Sequence, residues 1–345
     1  MSPLLTPLAS PFLGARNRTV MSAMTRGFAD SDHCATPEIA AYYRRRAEGG
    51  VGLILTEGVV IHPTADGYMD VPRIATTKQA DSWRPVVDAV HDAGAKIACQ
   101  LWHCGRISHS DFTDGHAPVS STTRAAEGIN RQNDKPYGEP RALTAEEMPE
   151  VYGYFVDAAH RALSVGFDAV ELHLGHGYLA DQFLDARVND RTDRYGGSVE
   201  NRCRFVLELL DRVFAEVEPN RVMARISPSR WMGGLYDWPD LDEMLDYLIP
   251  EMWNRGLRIL DISCANADYF ATSGRIVRSV RPRWDGVILG GASLSQEDAE
   301  AEVRDGRLDM VTWGRSFLAN PDLTRRIESG AVWLPFENEM RNVLA

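Results

Sequence analysis

The sequence predicts an α/β fold, a single (β/α)8 or TIM barrel, and three features support this fold class. Eight compact apolar runs alternate with eight amphipathic segments along the 345 residues. No repeat, low-complexity segment or shift in composition divides the chain, and unbroken β/α alternation is typical of a parallel barrel. Glycine motifs at Gly290-Gly291 and Gly314-Arg315 follow the seventh and eighth runs, which is the common phosphate site of such barrels.

The strands and helices follow from these apolar and amphipathic patterns. The predicted strands cover residues 19–24, 53–59, 96–102, 169–175, 222–228, 258–264, 286–291 and 310–315. The predicted helices cover residues 37–48, 79–93, 144–165, 198–217, 239–255, 273–281, 295–305 and 321–328. Pro37 marks the first helix start, since proline fits the first turn of a helix. Thr144 and Glu147 have the spacing of a capping box, which predicts a helix start there.

These elements predict one domain over residues 1–345. Residues 1–18 are expected to cap the bottom of the barrel, and residues 329–345 form a C-terminal extension. The two longest connections, 103–143 and 176–197, follow strands 3 and 4. They therefore lie on the C-terminal face, where barrel active sites are found, and loops of this length are usually functional.

Composition excludes several classes of function. The net charge of −12 argues against a general nucleic-acid-binding role. No apolar run approaches the roughly 20 residues that a membrane-spanning helix needs, and the N-terminus lacks the pattern of a secretory signal. Five scattered cysteines without a CxxC motif predict reduced thiols in the cytoplasm, with no disulfide scaffold and no iron–sulfur cluster.

Strand alternation predicts polar side chains inside the barrel, where a purely structural barrel would have branched apolar ones. The expected inward-facing polar or aromatic residues are Gln100, Trp102, Glu171, His173, Arg225, Asp261 and Ser263. A buried Arg225 needs a partner because an unpaired buried charge is costly. An internal Arg–Glu pair and an anionic or electron-rich ligand are both compatible with this position.

The segment from His173 to Tyr178 predicts chemistry at the end of strand 4. His173 and His176 could bind zinc with Glu171 as the third ligand, which would suit a metal-dependent barrel hydrolase. Alternatively, two neutral imidazoles could donate to a carbonyl or nitro oxygen, while Tyr178 acts as an acid.

Taken in order, these segments resemble the Old Yellow Enzyme family of FMN-dependent ene-reductases. The resemblance runs from about residue 5 to residue 330. Its motifs are residues 21–26, 55–58, 100–103, 105–106, 173–184, 201–202, 225–228, 290–291 and 314–323. Each motif follows or ends a predicted strand or helix, and together they are far more specific than any one alone.

The resemblance implies a noncovalently bound FMN and a set of contacts for it. The implied FMN-binding residues are Ala23, Met24, Thr25, Gly58, Gln100, Arg225, Gly290, Gly291, Gly314 and Arg315. Thr25 would hydrogen-bond flavin O4, and Arg315 with the glycines would hold the phosphate. No metal ligand is implied.

The resemblance also implies the reaction. A hydride passes from N5 of the reduced flavin to Cβ of an α,β-unsaturated carbonyl or nitro compound, with NADPH or NADH as the reductant. His173 and His176 bind the substrate oxygen, and Tyr178 protonates Cα. Tyr68 and Trp102 shape the substrate pocket. The implied partner is a small electrophilic alkene, and the implied assembly is a monomer or homodimer.

The chain departs from the family pattern at three places. Ala23 stands where many relatives have proline, Thr25 where others have cysteine, and His176 where some have asparagine. The segment 264–270 matches no family pattern. Beside the ene-reductase, a metal-dependent hydrolase and a non-catalytic FMN-binding protein remain as alternatives.

Overall fold

Eight parallel strands close into a barrel in the computed structural model, which describes residues 2–264, 267–291 and 293–345. The barrel strands are β1 (Thr19–Met21), β2 (Leu53–Val60), β3 (Lys96–Trp102), β4 (Ala169–His173), β5 (Val222–Ile226), β6 (Ile259–Ser263), β7 (Val287–Gly291) and β8 (Met310–Trp313). Each strand pairs with its sequence neighbours, and β1 closes the barrel against β8. All eight lie where the sequence predicts them, which confirms the fold class.

Helices cover the outside of the barrel. They are α1 (Pro37–Glu48), α2 (Thr77–Ser82), α3 (Arg84–Asp92), α4 (Met148–Ser164), α5 (Leu179–Leu184), α6 (Val199–Phe214), α7 (Leu241–Asn254), α8 (Ser273–Val280), α9 (Gln296–Arg304), α10 (Arg315–Ala319) and α11 (Leu323–Ser329). Within the described residues no helix has both the length and the apolar character to cross a membrane.

Three local predictions differ from the structure. The capping box at Thr144 is only half formed: the Glu147 carboxylate accepts the Thr144 backbone N–H at 2.7 Å, but α4 begins at Met148 and its N-cap has no side-chain hydrogen bond. The helix predicted over 79–93 is two helices, with Trp83 at the junction ahead of Pro85. Helix α5 lies in a segment that the sequence predicts as loop, because six buried residues show no amphipathic period.

Strand alternation divides the barrel interior into layers. The lower layer is apolar and includes Leu53, Leu55, Met223, Ile259 and Met310. Leu8 and Leu13 of the N-terminal segment pack against this cluster from below. The polar layer that the sequence predicts lies above it, toward the carboxyl ends of the strands. The floor of the barrel mouth is therefore polar, and the lower half of the barrel interior is apolar.

A register shift in β2 sets one wall of the mouth. Leu55 pairs with Ala98, but Gly58 pairs with Gln100, so the β2–β3 ladder is irregular between these pairs. Leu55 belongs to the lower apolar cluster, whereas Gly58 lines the cavity at the mouth. A Cβ at Gly58 would overlap the Trp102 indole, so the close packing of Trp102 requires glycine here.

Candidate active site

A cavity of about 720 Å³ opens at the carboxyl ends of the barrel strands. It lies on the face where barrel enzymes carry their active sites. Twelve of the predicted site residues line it: Ala23, Met24, Thr25, Gly58, Gln100, Trp102, His173, His176, Tyr178, Arg225, Gly314 and Arg315. The structure therefore brings together side chains from β2, β3, β4, β5 and the loops after β1 and β8.

Three predicted site residues lie outside the cavity lining. Gly290 and Gly291 end β7, where a Cβ would meet Leu308 or overlap the Thr312 carbonyl. Close strand packing is thus a sufficient reason for glycine at both positions. Tyr68 lies behind the lining, with its phenol oxygen 2.9 Å from that of Tyr178.

Sequence reasoning missed a further set of lining residues. They are Ser22, Arg26, Ser263, Cys264, Ala267, Ser293, Leu294, Ser295, Thr312, Ser316, Leu318, Trp333 and Arg341. Strand alternation placed Ser263 inside the barrel, but nothing marked it as a site residue. Trp333 and Arg341 belong to the C-terminal extension, for which the sequence offered no function. Residues 265 and 266 of the unassigned 264–270 segment lie outside the described residues.

Two neutral imidazoles face the cavity from the end of β4. Burial, with Arg225 nearby, holds the pKa of both His173 and His176 well below the usual histidine range. The His173 Nδ1 accepts the Gly175 backbone N–H at 3.5 Å, which assigns the proton to Nε2. Both ring nitrogens of His176 are buried without a hydrogen-bond partner among the described residues. The site thus offers N–H donors that need a ligand acceptor.

Tyr178 completes this group beside an aromatic wall. Its ring lies 5.0 Å from the His173 ring and 4.9 Å from the Trp102 ring, both edge to face. Burial raises the pKa of the Tyr178 phenol well above 10, and Tyr68 adds to that shift. The phenol therefore stays protonated at neutral pH and can deliver a proton.

The loop that carries His176 and Tyr178 is held from two sides. His176 has a φ of +59°, an uncommon backbone conformation for a non-glycine residue. The Ser227 hydroxyl accepts the His176 backbone N–H at 2.5 Å. The Asp181 carboxylate accepts the Gly177 N–H and a bond from Arg230, each at 2.5 Å. These bonds fix the loop conformation that points the imidazole and phenol at the cavity.

The floor of the cavity is a buried polar network. Gln100 donates to Glu171 at 2.7 Å, and the Arg225 guanidinium lies 3.4 Å from the Asp261 carboxylate. Burial raises the pKa of Glu171 and of Asp261. Because the two carboxyl groups are neighbours, a negative charge on one makes it less favourable for the other to ionise. Arg225 thus has an internal acidic partner, Asp261 rather than a glutamate, and it also lines the cavity.

Glu57 holds the loop that contains Thr25. Its carboxylate accepts the backbone N–H groups of Arg26 at 2.8 Å and Gly27 at 3.0 Å. Full burial raises the pKa of Glu57 to about 7, although these two bonds oppose the rise. The position of Thr25 at the cavity is therefore coupled to one buried carboxyl group.

The residues present fit a flavin mononucleotide. Gly58 and Gly314 line the cavity with backbone alone, and a Cβ at either position would press on Trp102 or Met24 of the same wall. The hydroxyl of Thr312 lacks a hydrogen-bond partner among the described residues and belongs to the lining. Arg315 adds positive charge beside β8. Polar groups for a heterocycle and a cation for a phosphate thus occur in one cavity of suitable size.

The metal-dependent alternative gains no support from this geometry. Among the described residues, no group of three His, Cys, Asp or Glu side chains is placed to hold a metal ion. The rings of His173 and His176 lie 5.3 Å apart, edge to face, and they face the same cavity as Tyr178.

A family model, curated sequences and solved structures all relate this chain to flavin oxidoreductases and their relatives. The sequence matches the NADH:flavin oxidoreductase / NADH oxidase family over residues 3–332. It is 40% identical over 340 residues to the putative 12-oxophytodienoate reductase 2 of Oryza sativa subsp. japonica, covering 95% of this chain and 88% of that protein. The fold is similar to the old yellow enzyme homologue from Zymomonas mobilis, with a TM-score of 0.91, 32% identity, and coverage of 98% of this chain and 96% of that one. It is also similar to morphinone reductase in complex with tetrahydroNAD, with a TM-score of 0.88, 35% identity, and coverage of 99% and 94%.

Proposed function

The chain belongs to the NADH:flavin oxidoreductase family that contains the Old Yellow Enzymes, and we propose that the cavity described above is its FMN and substrate site. The protein is an FMN-dependent oxidoreductase that uses a nicotinamide to reduce C=C bonds. One observation carries the assignment of the site: two neutral imidazoles and a protonated phenol converge on a cavity with a cationic end.

We assign the cofactor contacts to the residues that line the cavity. Thr25, Gln100 and Arg225 lie where a heterocycle can accept or donate hydrogen bonds, and Gly58 provides a flat wall. Arg315, beside Gly314, is the phosphate contact, because a guanidinium binds phosphate oxygens through two parallel hydrogen bonds. Gly290 and Gly291 keep their assignment to the phosphate site as a proposal, supported by their place at the end of β7. FMN, when bound, supplies the hydride that it receives from the nicotinamide.

His173 and His176 bind the electron-withdrawing oxygen of the substrate. Negative charge develops on that oxygen as the alkene is reduced, and donors that are already in place stabilise it. Because the pKa of each ring is low, both imidazoles are neutral at neutral pH. Each neutral ring still carries one N–H group, which can donate a hydrogen bond. Trp102 bounds the pocket beside them, and Tyr68 shapes it from behind through its contacts with Trp102 and Tyr178.

Tyr178 supplies the proton. Its ring packs against that of His173, and its hydroxyl group stays protonated because burial raises its pKa. A phenol in this position can donate to the substrate Cα while the two imidazoles hold the oxygen. The substrate class is therefore an alkene activated by a carbonyl or nitro group.

The reductant is NADH or NADPH. The complex of morphinone reductase with tetrahydroNAD supports testing NADH first. Its scattered cysteines favour the cytoplasm, and its net charge of −12 argues against nucleic-acid partners. The family resemblance implies a monomer or homodimer. Cell fractionation and light scattering test the location and assembly directly.

Flavin reduction and reoxidation test the function. Purified protein should be yellow, and NADH or NADPH should bleach it without oxygen. Cyclohexenone should then restore the colour and yield cyclohexanone. A protein that binds FMN but is not reoxidised by enones or nitroalkenes would contradict the assignment of the substrate site.

A further inference from the structure

The C-terminal tail, defined here as residues 330–345, returns to the barrel mouth and forms part of the cavity wall. Trp333 and Arg341 belong to the cavity lining. The Trp333 ring packs edge to face on Trp313 of β8 at 5.7 Å. The sequence marked this segment only as an extension, so its place at the cavity is a finding of the structure.

Two anchors fix the tail on either side of Arg341. On one side, Leu334 donates to the Asn320 side chain at 2.8 Å, and Asn320 donates back to the Leu334 carbonyl at 3.0 Å. On the other side, Arg26 donates to the Val343 carbonyl at 2.5 Å. Arg26 itself follows Thr25 in the loop after β1. The chain between these anchors is therefore held against the mouth.

Arg315 and Arg341 converge without an acidic partner. Both guanidinium carbons lie 5.4 Å from the centre of the Phe336 ring. Neither guanidinium forms an ion pair within 4 Å or a side-chain hydrogen bond in the described part of the chain, although Glu337 and Glu339 lie on the same turn of the tail. Two cations that repel each other at one end of a cavity are stabilised when an anion binds between them.

The barrel geometry separates this cationic end from the catalytic group. Arg315 follows β8, and His173 ends β4, and these strands are four positions apart around the closed barrel. Four of eight positions is the opposite side of the mouth. An anion at Arg315 and Arg341 is thus far from the imidazoles and the phenol, which matches the tail of a nucleotide-like cofactor rather than the reacting alkene.

We infer that Arg341 is a second cationic contact for the phosphate of FMN, delivered by the C-terminal tail and acting with Arg315. This inference rests on the proposed FMN site. It assigns the tail a specificity role, because a pair of guanidinium groups favours a phosphorylated flavin over an uncharged one. Phe336 contacts both guanidinium groups.

Titration of the apoprotein with FMN and with riboflavin tests the inference. Riboflavin carries the same ring system without the phosphate, so it reports packing but not phosphate recognition. Arg341→Ala should raise the Kd for FMN by roughly tenfold and leave the Kd for riboflavin within about twofold. Arg341→Glu should raise the Kd for FMN further, and the Kd for riboflavin should again stay unchanged. The matched control is Arg325→Ala, which removes an exposed arginine of α11 that does not line the cavity.

The outcomes separate this inference from the function on which it rests. Failure of the unsubstituted protein to bind FMN would contradict the proposed FMN site itself. Normal FMN binding with an unchanged Kd in Arg341→Ala would overturn the role of Arg341 alone. Equal weakening of FMN and riboflavin would also overturn it, because the tail would then act only by packing. Selective loss of FMN affinity in both Arg341 variants supports it.

Discussion

The phenol oxygens of Tyr68 and Tyr178 lie 2.9 Å apart, so the proposed acid has a hydroxyl partner from a loop on another part of the barrel. Tyr68 comes from the segment after β2, and Tyr178 from the loop after β4. Burial raises the pKa of both phenols, which keeps both protonated. The hydrogen bond holds the Tyr178 hydroxyl in place and adds to the rise of its pKa.

Tyr68→Phe should slow proton delivery without removing the acid. Loss of one hydrogen bond of about 1 kcal/mol predicts a several-fold slower reoxidation of the reduced protein by an enone. Reduction of the flavin by the nicotinamide should stay unchanged, and stopped-flow absorbance measures both steps. Tyr152→Phe is a suitable control, since that hydroxyl donates to Glu208 between two outer helices. Equal slowing in the control would point to a general packing effect.

His173→Ala should weaken enone binding and turnover together. The substitution removes a donor to the substrate oxygen, and loss of one such donor typically costs about 100- to 1,000-fold in rate. His91→Ala, on the surface of α3, provides the control because the His91 imidazole hydrogen-bonds Asp168 and does not line the cavity. Steady-state kinetics and titration with a non-reducible phenol ligand measure the two effects. Unchanged binding in His173→Ala would exclude this ring as an oxygen contact.

Thr25→Ala should lower the midpoint potential of bound FMN. A hydroxyl that donates to the flavin stabilises the electron-rich reduced form, and a hydrogen bond of about 1 kcal/mol corresponds to roughly 20 mV for a two-electron couple. Thr25→Ser retains the hydroxyl and should retain the potential. Redox titration against a dye measures the shift. The same potential in the alanine and serine variants would show that the hydroxyl does not reach the ring.

Glu57 should make stability fall as pH rises toward neutrality. Its pKa is raised from 4.5 to about 7 in the folded protein, so its stabilising protonated form is lost as pH passes through 7. The free energy of unfolding should decrease by about 3 kcal/mol in total over this pH range. Glu57→Gln keeps a carbonyl acceptor for the Arg26 and Gly27 N–H groups and removes the titration. Urea unfolding at pH 5 and pH 8 should therefore show a smaller decrease for the variant than for the unsubstituted protein.

The barrel and much of its mouth could be predicted from sequence because they depend on local patterns. Alternation in β3 and β4 places Gln100 and Glu171 inside, and the structure pairs them at 2.7 Å. The hydrogen bond between Tyr68 and Tyr178 joins residues 110 positions apart, and no local pattern encodes it. No local pattern places Arg341 at the cavity either, because the tail that carries it is held by Asn320 and Arg26, which lie elsewhere in the chain.

Local rules failed where long-range contacts decide the structure. Helix α5 is short and wholly buried, so tertiary packing rather than periodicity makes it helical. Gly290 and Gly291 are assigned to the phosphate site by their place after the seventh strand, and the structure adds a second reason for glycine there, because Leu308 and Thr312 pack closely against them. A glycine pair after a strand therefore predicts close packing as well as it predicts a ligand.

Proton donation by Tyr178 is the central claim, and rapid mixing of Tyr178→Phe with substrate tests it most directly. Removal of a general acid typically costs about 100- to 10,000-fold, so reoxidation of the reduced variant by cyclohexenone should slow by that factor. Reduction by NADH or NADPH should match the unsubstituted protein, and reoxidation by a nitroalkene should change much less, because the nitronate product does not need the proton. Unchanged reoxidation by the enone, with slower reduction by the nicotinamide, would contradict the account.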